Sequence, residues 1–181
     1  MPKIIEGVRE NILDTAKHML FTEEYQNLSI RSVAKACGIA TGTIYNYFEN
    51  KEVLIATIMV QDWKIALEKM DKAVAKSKNV WGGMHGIQKA IAEFIDIYES
   101  VWHQSAKSGA TAITQERHRY LCEQIGTIVE TLLCSHGYEA KKLFSVFLAE
   151  NVLSASIRTY LLPQFKEMVE TMFPPRGGDH E

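Results

Sequence analysis

Proline is scarce in this chain of 181 residues, which has four in all. Pro163 is the only one between residues 3 and 173, so long segments run without the residue that most strongly breaks helices. Cysteine is sparse as well. Cys37, Cys122 and Cys134 make no CxxC pair. No apolar run approaches the ~18 residues of a membrane span, and the N-terminus lacks the apolar core of a signal peptide. A cytoplasmic, reduced protein with no membrane attachment is expected. Basic charge is not in excess: the net charge is −2 and the pI about 6.3. A nucleic-acid binder is usually basic overall, although DNA affinity depends on the local face and not on the total. A Gly-rich phosphate loop, a nucleophile elbow and a metal triad are all missing, and carboxylate pairs such as Glu23-Glu24 read as solvated. No enzyme is expected, and no cofactor.

What is present is helical periodicity. Hydrophobic residues make up 46% of the chain, and they recur three and four apart over long stretches, which predicts an all-α fold of about nine helices. The stretch from Ser29 to Lys51 organises the rest. Ser29 is a good N-cap before Ile30, Val33, Ala34 and Cys37, which share one face of a short helix. Gly38 supplies the sharp turn, because glycine takes a left-handed C-cap without steric cost. Ile39 plugs the turn. Thr41 then caps a second helix through Thr43, Ile44, Tyr45, Tyr47 and Phe48. A small residue at 34, glycine at 38 and a branched apolar residue at 44 form the packing pattern of a helix-turn-helix. Phe48 reads as core, and at least one of Tyr45 and Tyr47 should turn outward, where a hydroxyl reaches a phosphate oxygen. Asn50 and Lys51 open the next helix, whose N–H groups and ammonium suit a backbone phosphate.

These residues resemble the TetR family of bacterial transcriptional regulators. The matching run is Ile30-Arg31-x-Val33-Ala34, then Gly38-Ile39-x-x-Gly42-Thr43-Ile44-Tyr45-x-Tyr47-Phe48-x-x-Lys51-Glu52-x-Leu54. The resemblance covers the first third of the chain. Tyr47 stands where many relatives carry His. The resemblance implies a DNA-binding head over residues 1–50, an effector-binding and dimerisation body over 51–175, and a polar tail over 176–181. It also implies that Lys51, Tyr47 and Tyr45 hold phosphates. Thr41 and Thr43 then reach bases or phosphates, Gly42 admits close backbone approach, and Arg31 and Asn46 are further contacts.

Beyond the head, a fourth helix is expected from Lys51 to about Ala75, with Leu54, Ile58, Ile65 and Met70 inward. Gly82, Gly83 and Gly86 weaken the start of the next segment, whose pattern is clear from Met84 onward. A short helix follows around Thr111 to Glu116. The next ends at Gly137, one more runs from Glu139 to Leu161, and Pro163 opens the last, which Pro174-Pro175 stops. Phe147, Val152, Phe165 and Met172 look too many for one chain's core. In TetR-like proteins the last two helices pair across a two-fold axis, so a homodimer is implied. Its recognition helices would sit about 34–36 Å apart on a palindromic double-stranded DNA operator.

A regulator of this kind also implies an effector pocket in the body. Trp63, Met70, Met84, Tyr98, Trp102, His103 and Tyr120 would suit a flat or greasy small molecule. Metal or redox sensing is an alternative. His118 and Cys122 are four apart and share a helix face, and His103 is a possible third ligand. Two ligands do not make a zinc site, which needs three or four. Cys122 and Cys134 would lie ~18 Å apart on a continuous helix, too far to bridge within a subunit. A helical ligand-binding protein without DNA binding is the other alternative. The reading favoured is a DNA-binding repressor released by a small hydrophobic or aromatic ligand.

Overall fold

A computed structural model describes residues 7–22, 27–107 and 115–175, with backbone alone for 103–107 and 115. The protein is all-α. The described residues form eight α-helices and no strand: α1 (Val8–Thr22), α2 (Ile30–Cys37), α3 (Thr41–Tyr45), α4 (Lys51–Ala75), α5 (Val80–Lys107), α6 (Gln115–Ser135), α7 (Ser145–Ile157) and α8 (Leu162–Met172). Short 3-10 turns at Glu139–Phe144 and Thr159–Leu161 flank α7. The helix expected over Thr111 to Glu116 falls mostly on residues outside those described, and α6 takes up the chain from Gln115. The chain divides into two compact units, Met1–Lys64 with Ser100–Ala110, and Ile65–Glu99 with Thr111–Glu181.

In the first unit the core is Ile12, Leu13, Ala16 and Leu20 of α1, Val33 and Ala34 of α2, Ile44, Phe48, and Leu54 and Ile58 of α4, all buried. Each large apolar side chain among them contributes about 1.5–3 kcal/mol by leaving water. Asp62 is buried with them and is held by an ion pair to Lys17, which ties α1 to α4. The inner stripe of α4 runs Leu54, Ile58, Asp62, Ala66, Met70 and Val74 in steps of four. Ile65, expected inward, is therefore 50% exposed.

The second unit has close helix packing as its signature. The glycines of α5 do not weaken its start. Asn79 Oδ1 accepts the Gly82 N–H at 2.7 Å, and the helix runs through Gly83 and Gly86 from Val80. A Cβ on Gly83 would lie 2.3 Å from Leu132 Cδ1, and one on Gly86 2.5 Å from Ala73 Cβ. These glycines are the points where α6 and α4 press against α5. Gly137 (φ 74°) ends α6 as expected, with the Tyr138 N–H donating to Leu133 O at 2.8 Å.

The segment Glu139 to Leu161 is not one helix: the first and last turns tighten to 3-10 geometry around α7. Val152 and Phe165 belong to this chain's own core, while Phe147 is half exposed. At the end of α8, the Tyr138 hydroxyl donates to Pro174 O, and the Tyr138 and Phe173 rings meet edge to face at 5.2 Å. No described helix is long and apolar enough to cross a membrane.

Candidate nucleic-acid interface

The head is built from its caps. Ser29 is extended (φ −143°, ψ 156°), its Oγ accepts the Ser32 N–H at 3.0 Å, and Ser32 Oγ accepts the Ser29 N–H at 2.8 Å. This reciprocal box fixes the first turn of α2. Gly38 is left-handed (φ 67°, ψ 28°), and the Ile39 N–H donates back to Ala34 O at 3.0 Å, a Schellman closure that sets the exit angle. The chain then enters α3 directly. Ala40 is the N-cap and offers no side-chain bond, while Thr41 is the first residue inside the helix and not its cap. As a helix α3 is also shorter than expected. It ends at Tyr45, and a hydrogen-bonded turn (Phe48 N–H to Ile44 O, 2.9 Å) carries the chain on to buried Phe48. Asn50 Oδ1 accepts the Val53 N–H at 2.8 Å and so caps α4, with Lys51 as that helix's first residue.

These local devices bring three helix starts together. A surface groove of about 540 Å³ is lined by Ser29, Ile30 and Arg31 from α2, Thr41 and Tyr45 from α3, and Asn50 and Lys51 from α4. Four of the eight residues expected to meet DNA lie in it: Arg31, Thr41, Tyr45 and Lys51. Gly42, Thr43, Asn46 and Tyr47 are on or just after α3 but do not line the groove. Tyr45 is the outward tyrosine, 56% exposed, while Tyr47 is half-buried. A Cβ on Gly42 would meet nothing within 4 Å, so the fold itself does not require glycine there. Burial pulls the Lys51 ammonium below the usual lysine value, and neighbouring Glu52 offsets part of that pull. Arg31, Thr41, Tyr45 and Lys51 thus line one concavity beside the first turns of α2 and α4, a surface suited to phosphate oxygens. Ser29, Ile30 and Asn50 were read from the sequence as cap, core and helix start. Their place in the groove follows from the meeting of α2, α3 and the start of α4.

The residues suggested for an effector are distributed over both units. Met70, Met84 and Tyr98 are fully buried in the second unit. Trp63 is buried and Trp102 half-buried in the first. Tyr120 is 59% exposed on α6, and the His103 side chain lies outside the described residues. A different cluster appears where α6 meets α7. His118 and Cys122 come together with Glu150, their ligand-type atoms all within 4.8 Å of one another. Burial, with Glu150 beside it, pushes the Cys122 thiol up to about 12.

Comparison with known proteins bears on the head first. Residues 12–58 match the family model for bacterial regulatory proteins of the tetR family. The HTH-type transcriptional regulator UidR of Escherichia coli (strain K12) is 26% identical over 101 residues, which is 56% of this chain and 48% of UidR. The HTH-type transcriptional regulator AcrR of Shigella flexneri is 26% identical over 151 residues, 76% of this chain and 67% of AcrR. The match to UidR thus spans about half that relative's length. Among solved structures, the fatty acid degradation regulator FadR from Bacillus halodurans superposes with a TM-score of 0.52, covering 93% of this chain and 97% of that one at 17% identity. At that identity the likeness is one of fold.

Proposed function

Because the chain belongs to the TetR family of bacterial transcriptional regulators, we propose that it is a ligand-responsive repressor. In this reading it is cytoplasmic, non-enzymatic and a homodimer on a palindromic double-stranded operator, and a small hydrophobic or aromatic molecule releases it. The observation that carries this is the groove, where Arg31, Thr41, Tyr45 and Lys51 from three different helices share one surface. Lys51 and Tyr45 hold phosphates, and Arg31, Thr41 and Thr43 reach phosphates or base edges. Tyr47 and Asn46 position the turn beside them. Open space around Gly42 supports a role outward, since a side chain there would clash with a partner and not with the fold.

Residues 1–50 are the DNA-binding head in this proposal, 51–175 the effector and dimerisation body, and 176–181 a tail. Dimerisation through the last two helices is supported by Val146, Phe147 and Ile157 on α7, with Leu143 and Tyr160 in the flanking turns, each at least half exposed in the single chain. Met70, Met84 and Tyr98 supply the apolar and aromatic surface that a greasy effector would use. The test is nuclease footprinting on the DNA upstream of the chain's own coding region, with sedimentation of the complex. Protection of a palindrome by two subunits is expected. Protection without symmetry, or by a single subunit, would overturn the dimeric reading.

A further inference from the structure

The helix pair α6–α7 carries a set of groups that DNA binding does not use. His118 and Cys122 are one turn apart on α6, with Cys122 Sγ 3.7 Å from His118 Nε2. Glu150 reaches across from α7, its Oε2 2.7 Å from the same His118 Nε2. The two helices run antiparallel here. Further along, Gly126 of α6 faces Val146 of α7, where an added Cβ would lie 3.5 Å from Val146 Cγ2. An added Cβ there would be in ordinary van der Waals contact, so α6 and α7 lie side by side, close enough for a carboxylate of one to meet an imidazole and a thiol of the other. Cys122 is buried at the base of the cluster, while the His118 and Glu150 side chains are 42% and 45% exposed.

We propose that His118, Cys122 and Glu150 bind one divalent late first-row transition metal ion, zinc by the balance of ligands, with its fourth position open to solvent. The donor set is imidazole nitrogen, sulfur and carboxylate oxygen, the three kinds that zinc takes. Metal–ligand distances of about 2.0–2.3 Å put neighbouring donor atoms of a tetrahedron roughly 3.4–3.6 Å apart. The sulfur–nitrogen separation of 3.7 Å is already close to that range. The carboxylate has only to draw back from the imidazole by less than an ångström, a rotation that an exposed glutamate allows. On binding, the thiol proton leaves to solvent, His118 gives up the proton that its Nε2 donates to Glu150 and keeps the one on Nδ1, and the metal replaces the His118–Glu150 hydrogen bond, clamping α6 to α7. Three protein ligands and an open position leave room for water or a small soft or anionic ligand.

The inference goes beyond the regulator reading and does not depend on it, since the test contains no DNA. Untagged full-length protein, stripped of metal and kept reduced, is titrated with cobalt(II) and then with zinc. One cobalt per subunit is expected, with a thiolate-to-cobalt charge-transfer band in the near ultraviolet that zinc removes. Cys122→Ser should abolish the band. His118→Gln, a change at a partly exposed side chain, should keep the helical circular dichroism of the parent and weaken metal affinity at least tenfold. No charge-transfer band at saturating cobalt would overturn the proposal. So would an unchanged affinity in folded His118→Gln, which would leave His118–Glu150 as a plain ion pair over a core thiol.

Discussion

Two glycines at the turn do opposite jobs, and substitution separates them. Gly38 is left-handed, so Gly38→Ala strains the turn and should cost about 1–2 kcal/mol of stability. Gly42 is helical with open space around it, so Gly42→Ala should keep or raise stability, by up to ~1 kcal/mol of helix propensity, while weakening operator binding. Thermal melts and DNA titrations on the same two proteins check both halves. A Gly42→Ala protein that binds as well as the parent would remove Gly42 from the interface.

Lys51 makes a pH prediction. Its ammonium is held below the usual lysine value by burial, and a phosphate beside it would raise that value again. Binding then takes up a proton once the free protein starts to lose it. Affinity should be full near neutral pH and should fall as pH rises through the lowered value, earlier than for an exposed lysine. Lys51→Gln should flatten that alkaline fall.

At the scale of helices, contact between α4 and α5 rests on Gly86 against Ala73. Neither Cβ can yield without moving backbone, so Gly86→Ala should destabilise the protein by about 1–3 kcal/mol. Adding Ala73→Gly restores the missing space and should recover part of the loss beyond what helix propensity allows. Denaturant unfolding of the four proteins in the cycle gives the coupling; simple additivity would show that the two residues do not press on one another.

This scale also marks where the sequence was legible. The caps at Ser29 and Gly38 and the buried Ile44 and Phe48 follow from short-range chemistry, and the structure has them as read. Threonine favours the N-cap, so the sequence points to Thr41 there, yet Ala40 takes that position without any side-chain bond. Ile65 is as hydrophobic as the inward residues of α4 but lies off their stripe, half exposed. The inner stripe of α4 passes through Asp62, which is buried by virtue of Lys17, a partner 45 positions away. The glycines of α5 read locally as helix breakers, whereas their cause lies on α4 and α6. Glu150 was missed for the same reason, since it meets His118 from 32 positions away.

At the scale of the whole molecule, a net charge of −2 does not argue against the proposed DNA binding, because of where the charge sits. Arg31 and Lys51 converge on one groove of the head, and affinity responds to that local surface and not to the total. The features described above are likewise divided between the units. The head carries the groove, and the second unit carries the buried Met70, Met84 and Tyr98, the apolar residues left exposed around α7, and the His118–Cys122–Glu150 cluster.

The most direct measurement is fluorescence anisotropy of the protein on its own upstream intergenic duplex, against a random duplex, at two salt concentrations. Parent protein and Lys51→Gln would be run side by side. The parent should prefer the upstream duplex and weaken with salt. Lys51→Gln should bind both duplexes more weakly and lose about one unit of the logarithmic salt slope per subunit, the signature of one phosphate contact removed. A parent with no preference for the upstream duplex, or a Lys51→Gln protein with unchanged affinity and slope, would contradict the assignment of this groove to operator DNA.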